Sequence, residues 1–273
     1  MLPPDVGLYI TNYCTLKCSH CFFNLNNELN TAELGWEDIL TILDDAQKNK
    51  VFLLRISGGD PLLHKDILKI ISETKKRKIL PLIGATGTNI NSSLAQKLNK
   101  AGLPSVQVSL DGATEATNAF FRGEKTHFSE TLASIKTLQE AGLKVNIAIC
   151  LDKNNYQDID ALLQLARDYN IYKLKVQFWW KSASSKISQT KHIELNQEEK
   201  SAVIEKCRLF ERKNHLKDWA IVSDIFPSAH YPPLVITAHG GFHIGEYGPF
   251  IGHIKRELPS EAYSKFMTAK VQS

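Results

Sequence analysis

Between residues 6 and 179 the chain repeats one pattern: a short apolar run, a polar turn, then a stretch with the period of an amphipathic helix. The apolar runs cover 6–11, 51–56, 79–83, 105–110, 144–151 and 172–179. Helical stripes over 36–49, 66–76, 92–100, 128–141 and 159–169 separate them, the fourth closed by Gly142 at the position of a left-handed cap. A helix between two strands returns the chain to the same end of the sheet, so the strands must run parallel with crossover connections. Units of roughly 25–35 residues suit that arrangement. Six units are fewer than the eight that close a barrel. The expected fold is therefore α/β, a partial (β/α)6 barrel.

The alternation stops at Lys181-Ser182-Ala183-Ser184-Ser185-Lys186, a polar stretch that predicts a boundary between a core over 1–180 and an extension over 181–273. In the extension a helix is expected over 197–214 and a short one over 260–267. A hairpin should pair 234–238 with 242–245 across Gly240-Gly241. With 33 basic and 29 acidic residues the net charge is +4, too small for a surface devoted to nucleic acid. The one basic run, Lys75-Lys76-Arg77-Lys78, falls at a predicted helix end, where cations complement the helix dipole. No secretory signal precedes residue 6 and no apolar run approaches ~20 residues. A cytoplasmic protein that makes no use of a membrane is expected.

Three of the five cysteines, Cys14, Cys18 and Cys21, share one loop after the first strand at C-x3-C-x2-C spacing. That clustering is unlike a disulfide framework and points to metal. Three thiolates can hold three irons of a [4Fe–4S] cluster and leave the fourth open to a ligand. Structural zinc is the alternative, but it takes four ligands, usually as two separated pairs. Cys150 and Cys207 are isolated, and His20 would be an awkward fourth ligand. Functional loops in parallel β/α folds follow the carboxyl ends of strands. Two other unusual segments occupy that position, Ser57-Gly58-Gly59-Asp60-Pro61 and Ser109-Leu110-Asp111-Gly112.

The cysteine spacing after strand one, followed by Gly-Gly-Asp-Pro after strand two, resembles the radical S-adenosylmethionine (radical SAM) enzymes over roughly residues 7–179. The resemblance implies that Cys14, Cys18 and Cys21 ligate one [4Fe–4S] cluster whose open iron chelates the amino and carboxylate groups of SAM. His20 takes the place of the family's aromatic residue beside the adenine. Ser57, Gly58 and Gly59 correspond to the segment facing the methionyl ammonium, the glycines letting backbone approach a ligand. Asp60 stands where the family usually has Glu. Ser109 and Asp111 match a Ser-Leu-Asp-Gly segment of the peptide-maturase branch that contacts the SAM ribose. Arg122 corresponds to an arginine that pairs with the SAM carboxylate, a bidentate role suited to a guanidinium. The turn Ala85-Thr86-Gly87-Thr88-Asn89 departs from the family's Thr-Asn-Gly.

Related maturases end in a SPASM or twitch extension holding auxiliary clusters. Residues 235–245 and 249–254 resemble a twitch element, yet no cysteine follows Cys207, so no auxiliary cluster is expected. His239 and His243, flanking Gly240-Gly241, suggest exposure or substrate contact rather than metal. Cys150, in an apolar strand, is a small buried hydrophobe or a hydrogen-atom donor to a radical, and Cys207 shares these alternatives. Phe178-Trp179-Trp180 suits core packing or an aromatic wall at the rim.

The implied reaction is reductive cleavage of SAM to a 5′-deoxyadenosyl radical that abstracts hydrogen from a substrate C–H bond. A flavodoxin or ferredoxin would supply the electron. A ribosomal peptide or a small polar metabolite such as a sugar, aminocyclitol or amino acid is the expected substrate. The chain begins almost at strand one, which argues against a leader-peptide domain. Without an auxiliary cluster, redox-neutral outcomes such as epimerisation, rearrangement or elimination are favoured. The alternative from another class is a non-catalytic iron–sulfur or zinc protein.

Overall fold

A computed structural model describes residues 2–25, 27–180, 191–223, 233–245 and 248–272. The strands β1 (Asp5–Thr11), β2 (Leu53–Gly58), β3 (Leu80–Ala85), β4 (Ser105–Ser109), β5 (Lys144–Leu151) and β6 (Lys173–Phe178) are the six expected from the sequence. Helices α1 (Phe22–Leu25), α2 (Trp36–Lys48), α3 (Ile67–Lys76), α4 (Ser92–Lys100), α5 (Glu115–Arg122), α6 (His127–Glu140) and α7 (Ile159–Asp168) connect them. Then follow α8 (Gln197–Lys213), β7 (Ala220–Ser223), β8 (Leu234–Ile236), β9 (Gly241–Ile244), β10 (Phe250–His253) and α9 (Pro259–Gln272).

All ten strands share one sheet in the order β10-β9-β8-β1-β2-β3-β4-β5-β6-β7. Strands β1 to β7 pair in parallel with their sequence neighbours. The side-chain period of two splits each strand between two environments. Val6, Leu8, Ile10, Leu54, Ile56, Ile83, Val106, Val108, Val145, Ile147, Ile149, Leu174 and Val176 face the helices and form the core. The opposite face carries Ser57, Gln107, Ser109, Asn146, Cys150, Lys175 and Gln177, all partly accessible. That polar inner face is the lumen of the partial barrel.

The C-terminal strands enter the sheet at its two ends. The short β7, which the alternation does not announce, adds a seventh parallel strand against β6. Its four residues are a weak signal and no helical stripe follows. What fixes it is tertiary: Ala220 N donates to the Glu211 carboxylate at 2.8 Å, and Trp219 Nε1 to the Ile171 carbonyl at 2.7 Å. The expected hairpin forms as β8 and β9, and β8 continues the sheet by pairing in parallel with β1. Asp45 of α2 accepts from both the backbone N–H (2.8 Å) and the hydroxyl (2.7 Å) of Ser260, pinning the start of α9. The boundary expected at 181–186 lies outside the described residues.

The sequence leaves α1 and α5 unannounced, because each is only one or two turns long. Thr114 caps α5 through its hydroxyl, and Gly123 ends it at φ 75°. Gly142 adopts the expected left-handed conformation, φ 85°.

Candidate functional site

The carboxyl ends of β1, β2, β4 and β5 converge on the cysteine loop. Hydrogen bonds from several elements shape that loop: Cys14 N donates to Asn30 Oδ1 (3.1 Å), Ser19 N to the Phe121 carbonyl (2.8 Å) and Cys21 N to the Cys18 carbonyl (3.2 Å). Burial pushes the Cys14 thiol up to about 12 and the Cys18 thiol to about 11, and raises Cys21 likewise. Arg122 opposes this at Cys18, where its Nη1 lies 3.8 Å from the sulfur. Among the described residues no group of three His, Cys, Asp or Glu side chains converges on one metal ion. In a cluster each thiolate would bind a different iron.

Gly58 and Gly59 are used differently from the reading given by the motif. Both face the chain's own backbone. A Cβ at Gly58, whose φ is 132°, would lie 2.1 Å from the Thr11 carbonyl oxygen, and one at Gly59 would lie 2.3 Å from that of Tyr13. The close approach that glycine permits here is strand end against cysteine loop, sealed by Gly59 N to Thr11 O and Asp60 N to Tyr13 O, each 2.7 Å. Asp60 is buried; its Oδ1 accepts from Leu62 N (3.1 Å) and its Oδ2 from the Thr86 hydroxyl (2.6 Å). Desolvation raises its pKa against those hydrogen bonds. The carboxylate thus joins the β2 turn to the β3 turn, where Ala85-Thr86-Gly87-Thr88-Asn89 departs from the family's pattern.

Beside Cys18 sits a group of charged and polar atoms that the protein leaves incomplete. Arg122 Nη2 lies 2.6 Å from Asp111 Oδ2, and His20 Nε2 lies 3.7 Å from the same oxygen. The Arg122 contact is close but not aligned as a hydrogen bond, so Asp111 Oδ2 has no hydrogen-bond partner; nor do Arg122 Nε and His20 Nδ1, all three buried. Burial costs Arg122 part of its charge stability, and the Asp111 carboxylate and Cys18 more than restore it, holding the guanidinium above its ordinary value. His20 is lowered to about 4, chiefly by desolvation, which outweighs the pull of Asp111. Buried polar groups without partners are rare and costly. Two such atoms, Arg122 Nε and His20 Nδ1, flank the buried Arg122–Asp111 ion pair, an arrangement that suits a polar ligand.

Asp111 belongs to a hydrogen-bonded girdle around the rim. Its Oδ1 accepts from Cys150 N (2.8 Å), and its N–H donates to Asn118 Oδ1 (3.0 Å). His127 Nε2 donates to the Thr86 carbonyl at 3.0 Å, so its Nδ1 accepts from Asn118 Nδ2 at 2.8 Å and the ring is neutral. Asn155 Nδ2 donates to the Asp111 and Cys150 carbonyls at 2.7 and 2.8 Å. Sequence reading missed Thr86, Asn118, His127 and Asn155, because they are single polar residues on different turns and helices with no spacing between them.

Desolvation, helped by Arg122, lowers His127 from 6.5 to about 4. A histidine kept neutral in the fold contributes stability above its unfolded pKa, and loses it as pH falls from about 6.5 to about 4. The expected loss is on the order of 2–3 kcal/mol. Denaturant unfolding of the metal-free protein across that window should show a flatter pH dependence for His127→Gln than for the wild type.

The other candidates fall in different places. Ser57 and Ser109 face the lumen and are partly accessible. Cys150 also lies on the lumen face and is only partly buried, unlike the core residues flanking it in β5, so it is not the packed hydrophobe that an apolar strand suggests. Cys207 is that hydrophobe, fully buried among the helices. His243 packs edge-on to Phe250, and the His239 carbonyl accepts from His253 Nε2 at 2.9 Å. Trp179 is buried against His192. A surface depression of about 550 Å³ lined by Gln139, Lys144, Tyr172 and Trp219 lies at the amino ends of β5 and β6, away from the cysteine loop.

Comparison with known proteins gives a consistent picture. The family described as "Radical SAM superfamily" matches residues 8–166. Fe-coproporphyrin III synthase of Methanosarcina barkeri is 33% identical over 171 residues, 63% of this chain and 43% of its own length. PqqA peptide cyclase of Granulibacter bethesdensis is 26% identical over 168 residues, 61% and 45% of the two chains. The chain spans less than half the length of these curated relatives. Among solved structures, Streptococcus suis SuiB bound to S-adenosylmethionine superposes with a TM-score of 0.79 at 18% identity, covering 100% of this chain and 68% of SuiB. Native anSMEcpe with bound AdoMet gives 0.75 at 15% identity, covering 95% and 81%. At those identities the likeness is one of fold.

Proposed function

The chain belongs to the radical SAM superfamily, whose cofactors are a [4Fe–4S] cluster and S-adenosylmethionine, and on that premise we propose that it is a radical SAM enzyme acting on a polar substrate held in the barrel lumen. Cys14, Cys18 and Cys21 hold the cluster. When bound, the cluster supplies the electron that splits SAM into methionine and a 5′-deoxyadenosyl radical, which takes hydrogen from a substrate C–H bond. The observation that carries this reading is the pair of buried atoms without hydrogen-bond partners, Arg122 Nε and His20 Nδ1, beside the Arg122–Asp111 ion pair at Cys18.

The protein's part is to bind, orient and exclude water. Arg122 offers its guanidinium to a carboxylate, and Asp111 an oxygen to a hydroxyl or ammonium group. His20 presents a neutral ring to the adenine. Ser57, Gly58, Gly59 and Asp60 bound the methionyl side, with Asp60 positioning the turn through Thr86. Ser109 lies beside Asp111 at the end of β4, facing the ribose. Cys150, partly accessible on the lumen face of β5, would return a hydrogen atom to a substrate radical.

A lumen lined by Gln107, Asn146, Lys175 and Gln177 suits a polar substrate. A ribosomal peptide agrees with relatives named as a peptide cyclase and as mycofactocin maturases. A small polar metabolite suits the same lining. The core over 1–180 carries the cluster loop and 181–273 is a twitch-like extension, and a redox-neutral outcome is the reading we favour. The reductant is a flavodoxin or ferredoxin in the cytoplasm, where thiols stay reduced. No described helix is long and apolar enough to cross a membrane.

Anaerobic reconstitution with iron and sulfide should load about one four-iron cluster per chain, the number three thiolates and an open iron require. Addition of dithionite and SAM should then yield 5′-deoxyadenosine. A chain that takes up no iron and sulfide refutes the reading, and one that takes up a cluster but leaves SAM intact is an inert iron–sulfur protein.

A further inference from the structure

Ser19, between the ligand Cys18 and the adenine-side His20, is held by a side chain more than 170 residues away in sequence. Its Oγ lies 2.8 Å from His192 Nε2, and His192 Nδ1 lies 2.6 Å from Asp152 Oδ2. The His192 and Asp152 side chains are both wholly inaccessible. Neither residue matches any motif, and the superfamily match ends before His192.

The arrangement has the order of a Ser-His-Asp triad, but the hydrogen-bond inventory excludes a nucleophile. Ser19 Oγ lies 2.8 Å from the Phe120 carbonyl oxygen, which can only accept, so the hydroxyl proton is committed there. The Ser19 oxygen must then accept from His192 Nε2–H. On the other side the Asp152 carboxylate accepts from Nδ1–H. Both ring nitrogens are then engaged, Nδ1 with the carboxylate and Nε2 with the hydroxyl.

Asp152 is itself fixed, accepting from Asn154 N at 2.6 Å and from Asn154 Nδ2 at 2.9 Å. The segment carrying His192 is docked on the same loop: Lys153 N donates to the Ile193 carbonyl at 3.0 Å. Around the ring stand Phe121, Phe120, Trp179 and His20, with centroids 4.9, 5.6, 5.6 and 5.7 Å away. His192 therefore contacts His20 directly by its ring edge and reaches Ser19 by its nitrogen. It grips two consecutive residues of the cysteine loop.

We propose that His192 is a positioning residue for the SAM-binding end of the cysteine loop, held by Asp152 and acting through Ser19 and His20. The segment after β6 thus completes the site that the loop after β1 begins. Its effect differs from that of the cysteines. Losing His192 leaves all three thiols on the loop but frees the turn between Cys18 and Cys21 and the ring that faces the adenine. The inference rests on the SAM reading of the site, and its test separates the two.

The variants are His192→Gln, Asp152→Asn and the minimal Ser19→Ala. In the reconstituted enzyme each should bind SAM roughly tenfold more weakly, the size expected for one charge-assisted hydrogen bond. Iron and sulfide per chain should stay near wild type for Ser19→Ala, while the unfolding midpoint of the metal-free protein falls because the buried His192 Nε2–H loses its acceptor. Unchanged SAM affinity in Ser19→Ala overturns the proposal. So does a loss of affinity that merely tracks iron content.

In the metal-free protein, amide exchange at position 19 should quicken by about tenfold in His192→Gln. The nitrogen-15 spectrum of the wild type should show both His192 ring nitrogens protonated, and Asp152→Asn should abolish that signature. A wild-type spectrum with one bare ring nitrogen also overturns the proposal. These two readings need no cofactor. A wild type that binds no SAM, yet shows the doubly protonated ring and the exchange difference, defeats the proposed function and not the latch.

Discussion

Replacing Arg122 by methionine is expected to cost the metal-free protein about 3–5 kcal/mol, the usual effect of stripping one partner from a buried ion pair. Asp111 is wholly inaccessible. Its Oδ1 keeps the Cys150 N–H, but Oδ2 faces only Arg122 at 2.6 Å and His20 at 3.7 Å. Without the guanidinium, a carboxylate remains in the interior with half its oxygens unsatisfied. A second substitution identifies the cause. In Arg122→Met/Asp111→Asn the charge is gone and Oδ1 can still accept from Cys150, so most of the stability should return. Urea unfolding of the four proteins closes the cycle. Simple additivity of the two single costs would show that the pair is not coupled. SAM affinity of the reconstituted protein should fall in all three variants, because the double variant restores the fold and not the ligand's partners.

The second large effect is expected at a residue with no functional group. Gly59→Ala places a Cβ 2.3 Å from the Tyr13 carbonyl oxygen, 2.6 Å from its carbon and 2.7 Å from the Asn12 carbonyl oxygen. These are backbone atoms of the segment that delivers Cys14, and none can swing aside as a side-chain tip would. Either β2 or the cysteine loop must move. The cost should be about 3 kcal/mol or more, the upper end for overpacking, and iron uptake should fall with it. Gly84→Ala is the contrast. Its Cβ would meet Ser57 Oγ at 3.5 Å, an ordinary contact, and unfolding and iron content should stay close to wild type. Equal effects at the two positions would mean that the turn after β2 is not a brace for the cysteine loop.

The two glycines show how motif and structure divide the work. Gly58-Gly59-Asp60-Pro61 is legible as a functional turn because no regular strand or helix needs that string. The reason for the glycines is not legible, since nothing in the string says that Thr11 and Tyr13 lie 2–3 Å from where their side chains would begin. Cys150 gives the converse case. An apolar strand hides the fact that every second residue of β5 faces a polar lumen, because a strand covered on its helix side carries enough apolar residues to look buried on both. The seventh strand was missed for a related reason: β7 has four residues and depends on Glu211 and the edge of β6.

What the sequence determined by itself is what depends on periodicity and short spacing. The strand–helix alternation dictated parallel strands, and three cysteines within eight residues pointed to a metal loop, because both are local constraints on one stretch of chain. Only the tertiary structure decided which residues finish that loop. Arg122, Asp111, Asp152 and His192 reach Cys18, Ser19 and His20 from four separate segments, and contacts between residues so far apart in sequence leave no period or spacing to read. It exists because the parallel sheet brings the carboxyl ends of its strands to one rim, where burial makes each unpaired charge costly and so requires its partner to be close.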